Sequence, residues 1–359
     1  MFQLGTHLAV DLGELLVRPT ENVHTMKFMM LNRTFSMHAL KHLLTGLAIA
    51  ISTNLGAQGV YPSKPVTLIV PFPAGGIADL SARALKASLE KALGQPVLIQ
   101  NRAGASGAIG ASAVANAAPD GYTWMYTLSS VASVPEQAVL NGQKPPFQLD
   151  QFVPVARVTV DVVALVVRSD SGYKTYQDFA AALRANPKGM TYSSSGNYGI
   201  SHFPAEMLLA ATQTEARHIP YAGGAPMLTA LMGGQVDFNV PVRTLALPHV
   251  QSGRLRYLAM YGAKRWSQAP DVPTLAELGV PIEFVPWTGV FAPAGTPAEA
   301  VETMRKALRI AAQDPQFTET VNKSSAGEIA YLDGAELEAF WKADLARTSA
   351  TIQRIGRVQ

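Results

Sequence analysis

The chain has 359 residues, 48% hydrophobic and 15% charged, enough apolar material for two domain-sized cores. Its formal net charge of +3, with no Lys/Arg run and no basic stripe interleaved with aromatics, argues against nucleic acid as a partner. The lack of cysteine excludes disulfides, thiolate chemistry and Cys-based metal sites, and leaves export open because a domain this large needs no staples.

Residues 1–59 read as a leader. Lys27, Arg33 and Lys41 precede the apolar run Leu43 to Ile51, and the small residues of Leu55-Gly-Ala-Gln-Gly59 follow. Basic start, short apolar core and small-residue exit are the parts of a secretory signal, and the run is too short to span a bilayer. Cleavage is expected after Ala57 or Gly59. The leader is long for a signal, so the expected native start is Met26, Met29, Met30 or Met37.

Val66 to Val70 is an apolar, β-branched run that predicts a strand covered on both faces. Pro71 and Pro73 end it, Gly75 and Gly76 permit close backbone approach, and a helix follows with Leu85, Leu89 and Leu93 on one face. Its first N–H groups face the loop and make an anion seat. With no Lys or Ser/Thr in P-loop spacing, a carboxylate fits this seat better than a phosphate chain. Asp79 would repel that anion in direct contact, so it is expected to cap the helix or hold a bridging water.

A second βα unit runs from Val97 to Gln100 into Asn101 to Gly110, whose glycines at 104, 107 and 110 give GxxGxxG and not a dinucleotide fingerprint. Those glycines predict close backbone packing. Strand Thr123 to Leu128 places Thr127, Ser129 and Ser130 at its carboxyl end, where open α/β sheets hold ligands. Val155 to Val167 reads as one long strand able to pass between domains. A second α/β pattern begins with the capping pair Thr175/Asp178, a helix to about Ala185, strand Met190 to Ser193, and the loop Ser193 to His202, a second anion seat. Ile282 to Phe291, broken by Pro286, reads as the return crossing. Pro270 to Gly279 is expected to hold a short helix, and Thr296-Pro-Ala-Glu299 reads as a capping box. Two helices, Pro297 to about Gln313 and Gly334 to about Ile355, are expected to close the chain.

Of seven histidines four lie in the leader, and His202, His218 and His249 show no metal-ligand spacing. No GxSxG elbow occurs. No cofactor and no catalysis are expected. Arg243 is the one well-placed basic residue, and by itself the default for it is a solvated surface side chain.

The set Tyr61-Pro-x-Lys-Pro65, Pro71-Phe-x-x-Gly-Gly-x-x-Asp79-x-x-Ala-Arg83, Asn101-Arg-x-Gly-Ala-x-Gly107-x-Ile-Gly110, Pro119-Asp-Gly-Tyr-Thr123, His218-Ile-Pro-Tyr221-x-Gly223, Gly233-Gly-Gln-Val236, Pro270-Asp-Val-Pro-Thr274 and Ala292-Pro-Ala-Gly-Thr-Pro297 resembles the Bug family, substrate-binding proteins of tripartite tricarboxylate transporters. The resemblance runs in order from about residue 60 to the end. It implies an α/β periplasmic binding protein fold, type II-like, with two α/β domains joined by two crossing strands. Domain 1 would comprise residues 60–161 and 285–359, and domain 2 residues 162–284.

The resemblance further implies a periplasmic, monomeric receptor that captures a small organic carboxylate and delivers it to membrane permease subunits; signalling to a sensor kinase is the alternative. The first loop (Phe72, Ala74, Gly75, Gly76, Ala78 and Asp79) would take one carboxylate through backbone N–H groups and bridging waters. The second (Ser195, Gly196, Asn197, Ser201 and His202) would take the distal part. Thr127 and Ser129 are further hydroxyl candidates. Many members carry an Asp where this chain has Pro241, with Arg243 close by. A ligand lacking an ammonium group is expected, and Arg243 is the candidate for its distal carboxylate.

Overall fold

The computed structural model describes residues 61–323 and 327–357. The leader, with the signal-peptide, start and cleavage readings, lies outside the described residues.

The predicted βα units form in order. β1 (Val66–Val70) runs through the Pro71–Gly76 turn into α1 (Ile77–Leu93), followed by β2 (Val97–Asn101), α2 (Ala108–Ala115) and β3 (Thr123–Leu128). Next come α3 (Val134–Leu140) and β4 (Phe152–Val160). A second set then builds its own sheet: β5 (Ala164–Arg168), α4 (Tyr176–Ala185), β6 (Thr191–Ser194), α5 (His202–Thr212), β7 (Arg217–Pro220), α6 (Gly224–Met232), β8 (Phe238–Asn239), α7 (Arg243–Gln251) and β9 (Leu255–Met260). The chain returns as β10 (Trp287–Pro293), α8 (Ala298–Ala312), α9 (Pro315–Lys323), β11 (Glu328–Asp333) and α10 (Gly334–Ile355).

The first sheet has strand order β11-β4-β10-β3-β1-β2, and the second β7-β6-β8-β5-β9. β1 pairs parallel with β2 and β3, whereas β10 and β11 pair antiparallel with their neighbours. Leu85, Leu89 and Leu93 enter the first core with Leu68, Trp124 and Met304. Phe179, Tyr192, Leu208 and Phe238 anchor the second.

Both crossings differ from the long strands expected. The outward one stops at Val160 and restarts at Ala164, because the segment between them leaves one sheet for the other. The return one is a strand only from Trp287, since Pro286 has no N–H to give a ladder. The two passages are tied where Asp161 N–H donates to Pro286 O at 3.0 Å.

Other corrections are local. Thr296 does not cap α8: its hydroxyl donates to Pro293 O at 2.8 Å, and Pro297 occupies the cap position. Residues 270–279 form turns and no helix, although Thr274 and Glu277 exchange the two hydrogen bonds of a capping box across one of them. α9 and β11 join the two expected closing helices. The Thr175/Asp178 pair caps α4 reciprocally as expected. The GxxGxxG spacing is close packing, since a Cβ on Gly110 would lie 2.7 Å from both Arg102 O and Pro71 Cα. That contact sets α2 against the end of β1.

Candidate functional site

The Phe72–Asp79 loop is organised by one carboxylate. Asp79, 2% exposed, accepts Gly75 N–H at 2.8 Å, Asn101 Nδ2 at 2.9 Å and Arg83 Nε at 2.9 Å. Asn101 Nδ2 also reaches Phe72 O at 3.1 Å, tying the far side of the turn. Burial alone would raise the Asp79 carboxyl, but the hydrogen bonds from Arg83, Gly75 and Asn101 outweigh it and hold the group below its ordinary range. Asp79 therefore ties the loop and does not cap the helix as expected, since the N-cap, Gly76, receives no side-chain hydrogen bond, and Arg83 offsets its charge.

This arrangement reassigns the loop donors. Gly75 N–H is taken by Asp79 and Gly76 N–H by Pro73 O, at 3.2 Å. Leu80 N–H is the first to reach a helical carbonyl, Gly76 O at 2.9 Å, leaving Ile77, Ala78 and Asp79 as the first-turn donors. Gly75 holds φ +78°, open to glycine at little cost.

α1 is held in place by a buried ring of hydroxyls that sequence reasoning missed. Ser81 bonds Tyr126, Tyr126 bonds Thr288 at 2.8 Å, Thr288 bonds Thr159 at 2.7 Å, and Thr159 returns to Ser81 at 3.1 Å. Four hydroxyls in a closed ring each donate once and accept once, so none is left unpaired inside the core. Ser81 on an apolar helix face and Thr159 and Thr288 in apolar runs were the available signals.

The second loop, Ser194 to His202, is also internally wired. Ser195 N–H donates to Ser201 Oγ at 2.8 Å, the two seryl oxygens lie 2.9 Å apart, and Gly196 N–H donates to Ser194 Oγ at 3.2 Å. Tyr198 adopts φ +53°, and its N–H donates to His202 Nδ1 at 2.8 Å. The His202 side chain thus lies beneath the loop, 1% exposed, stacked on His218 at 4.0 Å. With Nδ1 accepting, the neutral ring carries its proton on Nε2. The Asn197 Oδ1 atom is buried without a hydrogen-bond partner.

Burial pushes His202 down to about 3, helped by His218, and His218 itself to about 4 by burial. The unfolded rings bind protons near 6.5 while the folded ones do not, so stability falls as pH drops from 6.5 towards 4. Urea unfolding across that range should show this slope, and the His202→Gln/His218→Gln double variant should flatten it.

Ile77, at the start of α1, and Ile200, in the second loop, each pack against both main cores. The two predicted seats therefore meet at one interface, and Ser133 Oγ adds a bond to Tyr198 O at 3.3 Å across it. Thr127 is fully buried, its hydroxyl donating to Leu128 O at 3.2 Å. Ser129 accepts Trp287 N–H at 3.5 Å and lines a neighbouring cavity of about 520 Å³.

Arg243 is no solvated surface residue. It is 4% exposed, its Nε lies 3.4 Å from Asp161 Oδ1, its Nη2 pairs with Glu328, and its guanidinium lies 4.6 Å from the Trp266 ring centre. Its N–H donates to Val162 O at 2.9 Å, in the outward crossing. Those partners occupy the cation that the sequence offered to a ligand. Among the described residues no cluster of three or more His, Asp or Glu could hold a metal ion, and no helix is long and apolar enough to cross a membrane.

Residues 81–357 match the model of the tripartite tricarboxylate transporter family receptors. The chain belongs to that family. Protein BugT of Bordetella pertussis is 35% identical over 276 residues, 76% of this chain and 82% of BugT, which agrees with the Bug resemblance. MatC from Rhodopseudomonas palustris, solved with bound malate, superimposes with a TM-score of 0.70 at 29% identity, covering 81% of this chain and 99% of MatC. A second R. palustris family structure, solved with adipate, gives 0.73 at 29% identity, covering 81% and 97%. The two-sheet α/β architecture is thus the family's binding-protein fold, type II-like.

Proposed function

We propose that the protein is a periplasmic receptor for a small dicarboxylate, which it hands to the permease subunits of a tripartite transporter. Residues 60–161 and 285–359 form one domain of the clamp and 162–284 the other. The first-turn donors of α1 (Ile77, Ala78 and Asp79) seat one carboxylate, with Phe72, Ala74, Gly75 and Gly76 shaping the turn. Ser195, Gly196, Asn197 and Ser201 meet the distal end, His202 supports them from below, and Thr127 underlies the β3 end. Arg243 holds the crossing and does not touch ligand.

The packing of Ile77 and Ile200 against both cores carries this reading, because it sets a helix N-terminus opposite a serine-rich loop. Malate and adipate, bound by the two R. palustris relatives, are both dicarboxylates. The leader, with basic residues ahead of a short apolar core and small residues after it, supports export. The role is capture and not catalysis.

Thermal unfolding with malate, adipate, other dicarboxylates and NAD tests it. A ligand at about 100 times its Kd adds roughly 2.7 kcal/mol, a shift of several degrees. A dicarboxylate should produce that shift; a shift with NAD alone, or with none of the acids, would count against the receptor reading.

A further inference from the structure

Within α10 the buried residues are Leu337 near the start and Thr351 and Ile352 near the end. The early turns pack on the first sheet, where the Phe340 and Trp341 rings lie 5.6 and 5.5 Å from that of Trp287 in β10. Further along, Ser349 Oγ and Gln353 Nε2 both donate to Glu136 of α3, at 3.0 and 2.6 Å. The end of the helix then reaches the elements of the second sheet. Ile352, 0% exposed, forms a small apolar cluster with Tyr198 and Phe203, bordered by Leu140, Phe284 and Ile355. Burial raises the Glu206 carboxyl of α5, and the Tyr192 hydroxyl and the charge of Arg354 pull against that rise.

Tyr198 is the point of contact. It stands in the second loop at φ +53°, a left-handed backbone that favours glycine and persists for a tyrosine only where its surroundings over-determine it. One constraint lies within the loop, the N–H donated to His202 Nδ1 at 2.8 Å. Further constraints come from outside the second sheet. The Tyr198 hydroxyl donates to Gly356 O at 2.8 Å, Ser133 Oγ donates to Tyr198 O at 3.3 Å, and Ile352 packs in the same cluster as the ring.

We propose that the end of α10 is a strap across the two halves of the clamp, with Tyr198 as its positioning residue. Docked against Ile352 and Gly356, Tyr198 holds residues 195–202 in the shape that presents Ser195, Gly196 and Asn197 to the ligand. Strap and ligand thus stabilise each other, since coupling between two events is reciprocal. The presentation of ligand rests on the receptor reading; the hold on the loop does not.

Amide hydrogen exchange of the ligand-free chain, followed by calorimetric titration with malate and adipate, tests this on Tyr198→Phe and Ile352→Ala. Tyr198→Phe keeps the ring and removes the bond to Gly356, whereas Ile352→Ala opens the apolar cluster. Tyr198→Phe should speed exchange over residues 195–202 by about two- to tenfold, the range of one net hydrogen bond, and Ile352→Ala by more. The rise should exceed that over β1, because a uniform loss of stability would act on both segments equally. The dicarboxylate Kd should rise by a similar factor, and Ile352→Val should restore most of both effects. Loop exchange that is unchanged, or raised no more than in β1, would overturn the strap whether or not an acid binds. Faster loop exchange with an unaltered Kd would overturn the positioning role. Faster loop exchange in a protein whose parent binds neither acid would uphold the strap and count against the receptor reading.

Discussion

Asp79→Ala should lower stability by about 1–3 kcal/mol and reduce dicarboxylate binding below detection, because it strips the shared acceptor from the Pro71–Gly76 turn. Gly75 N–H and Asn101 Nδ2 lose a partner 2.8 and 2.9 Å away, and because Gly75 is exposed and Asn101 half-buried, water replaces part of that loss, which keeps the total to about 1–3 kcal/mol. Arg83 adds little to that sum, since its side chain is 51% exposed and water replaces the carboxylate. With the tie gone, the turn no longer fixes the first-turn donors of α1. Asp79→Asn should fall between variant and parent: its carbonyl can serve Gly75, while its amide meets Arg83 and Asn101 donor to donor. Urea unfolding and calorimetric titration of both variants check the order.

Arg243→Met should cost about 3–5 kcal/mol, the range for removing one partner of a buried ion pair. It leaves Asp161, 3% exposed, facing Glu328 without its cation. Burial already pushes Asp161 up to about 7, against the pull of Thr244 and Arg243, while Glu328 adds to the rise. The native state then holds a proton that the unfolded chain releases near 3.8, so this group's contribution declines as pH rises from 3.8 through 7. Without Arg243 the carboxyl moves higher still. The loss in Arg243→Met should therefore be larger at pH 8 than at pH 5, and Arg243→Met/Asp161→Asn should recover part of it. A loss that is the same at both pH values would contradict this role for Arg243.

Much of the scaffold was legible because its signals are local. β1 and α1 follow from a β-branched run, two prolines and leucines spaced by four, and the α4 cap from Thr175 and Asp178, which bond each other. The glycines at 107 and 110 signal close packing by themselves, and Pro71 and Phe72 supply the neighbours. β11 was not legible: it is a strand without clear alternation, paired among the described residues with β4 alone. α9 is nine mostly polar residues with Phe317 and Val321 buried, too short a stripe to stand out.

At the site, what failed to show were partners distant in sequence. Arg243 meets Glu328 85 residues away, and Ser81 shares its ring with Thr288 at a separation of 207. Composition around Arg243 could not reveal that its charge is already matched. Similarly, the Gly-Gly turn points to a candidate seat but does not reveal that Asp79 and Pro73 take the glycine N–H groups, which moves the free donors one step into α1.

In the proposed receptor, one ligand is held at the same time by the start of α1 and by the second loop. Amide hydrogen exchange over residues 74–80 and 194–202, with and without a saturating dicarboxylate, measures this directly. Protection should rise in both segments together, at the same ligand concentration. Protection confined to one of them, or to neither while the acid is bound, would contradict it.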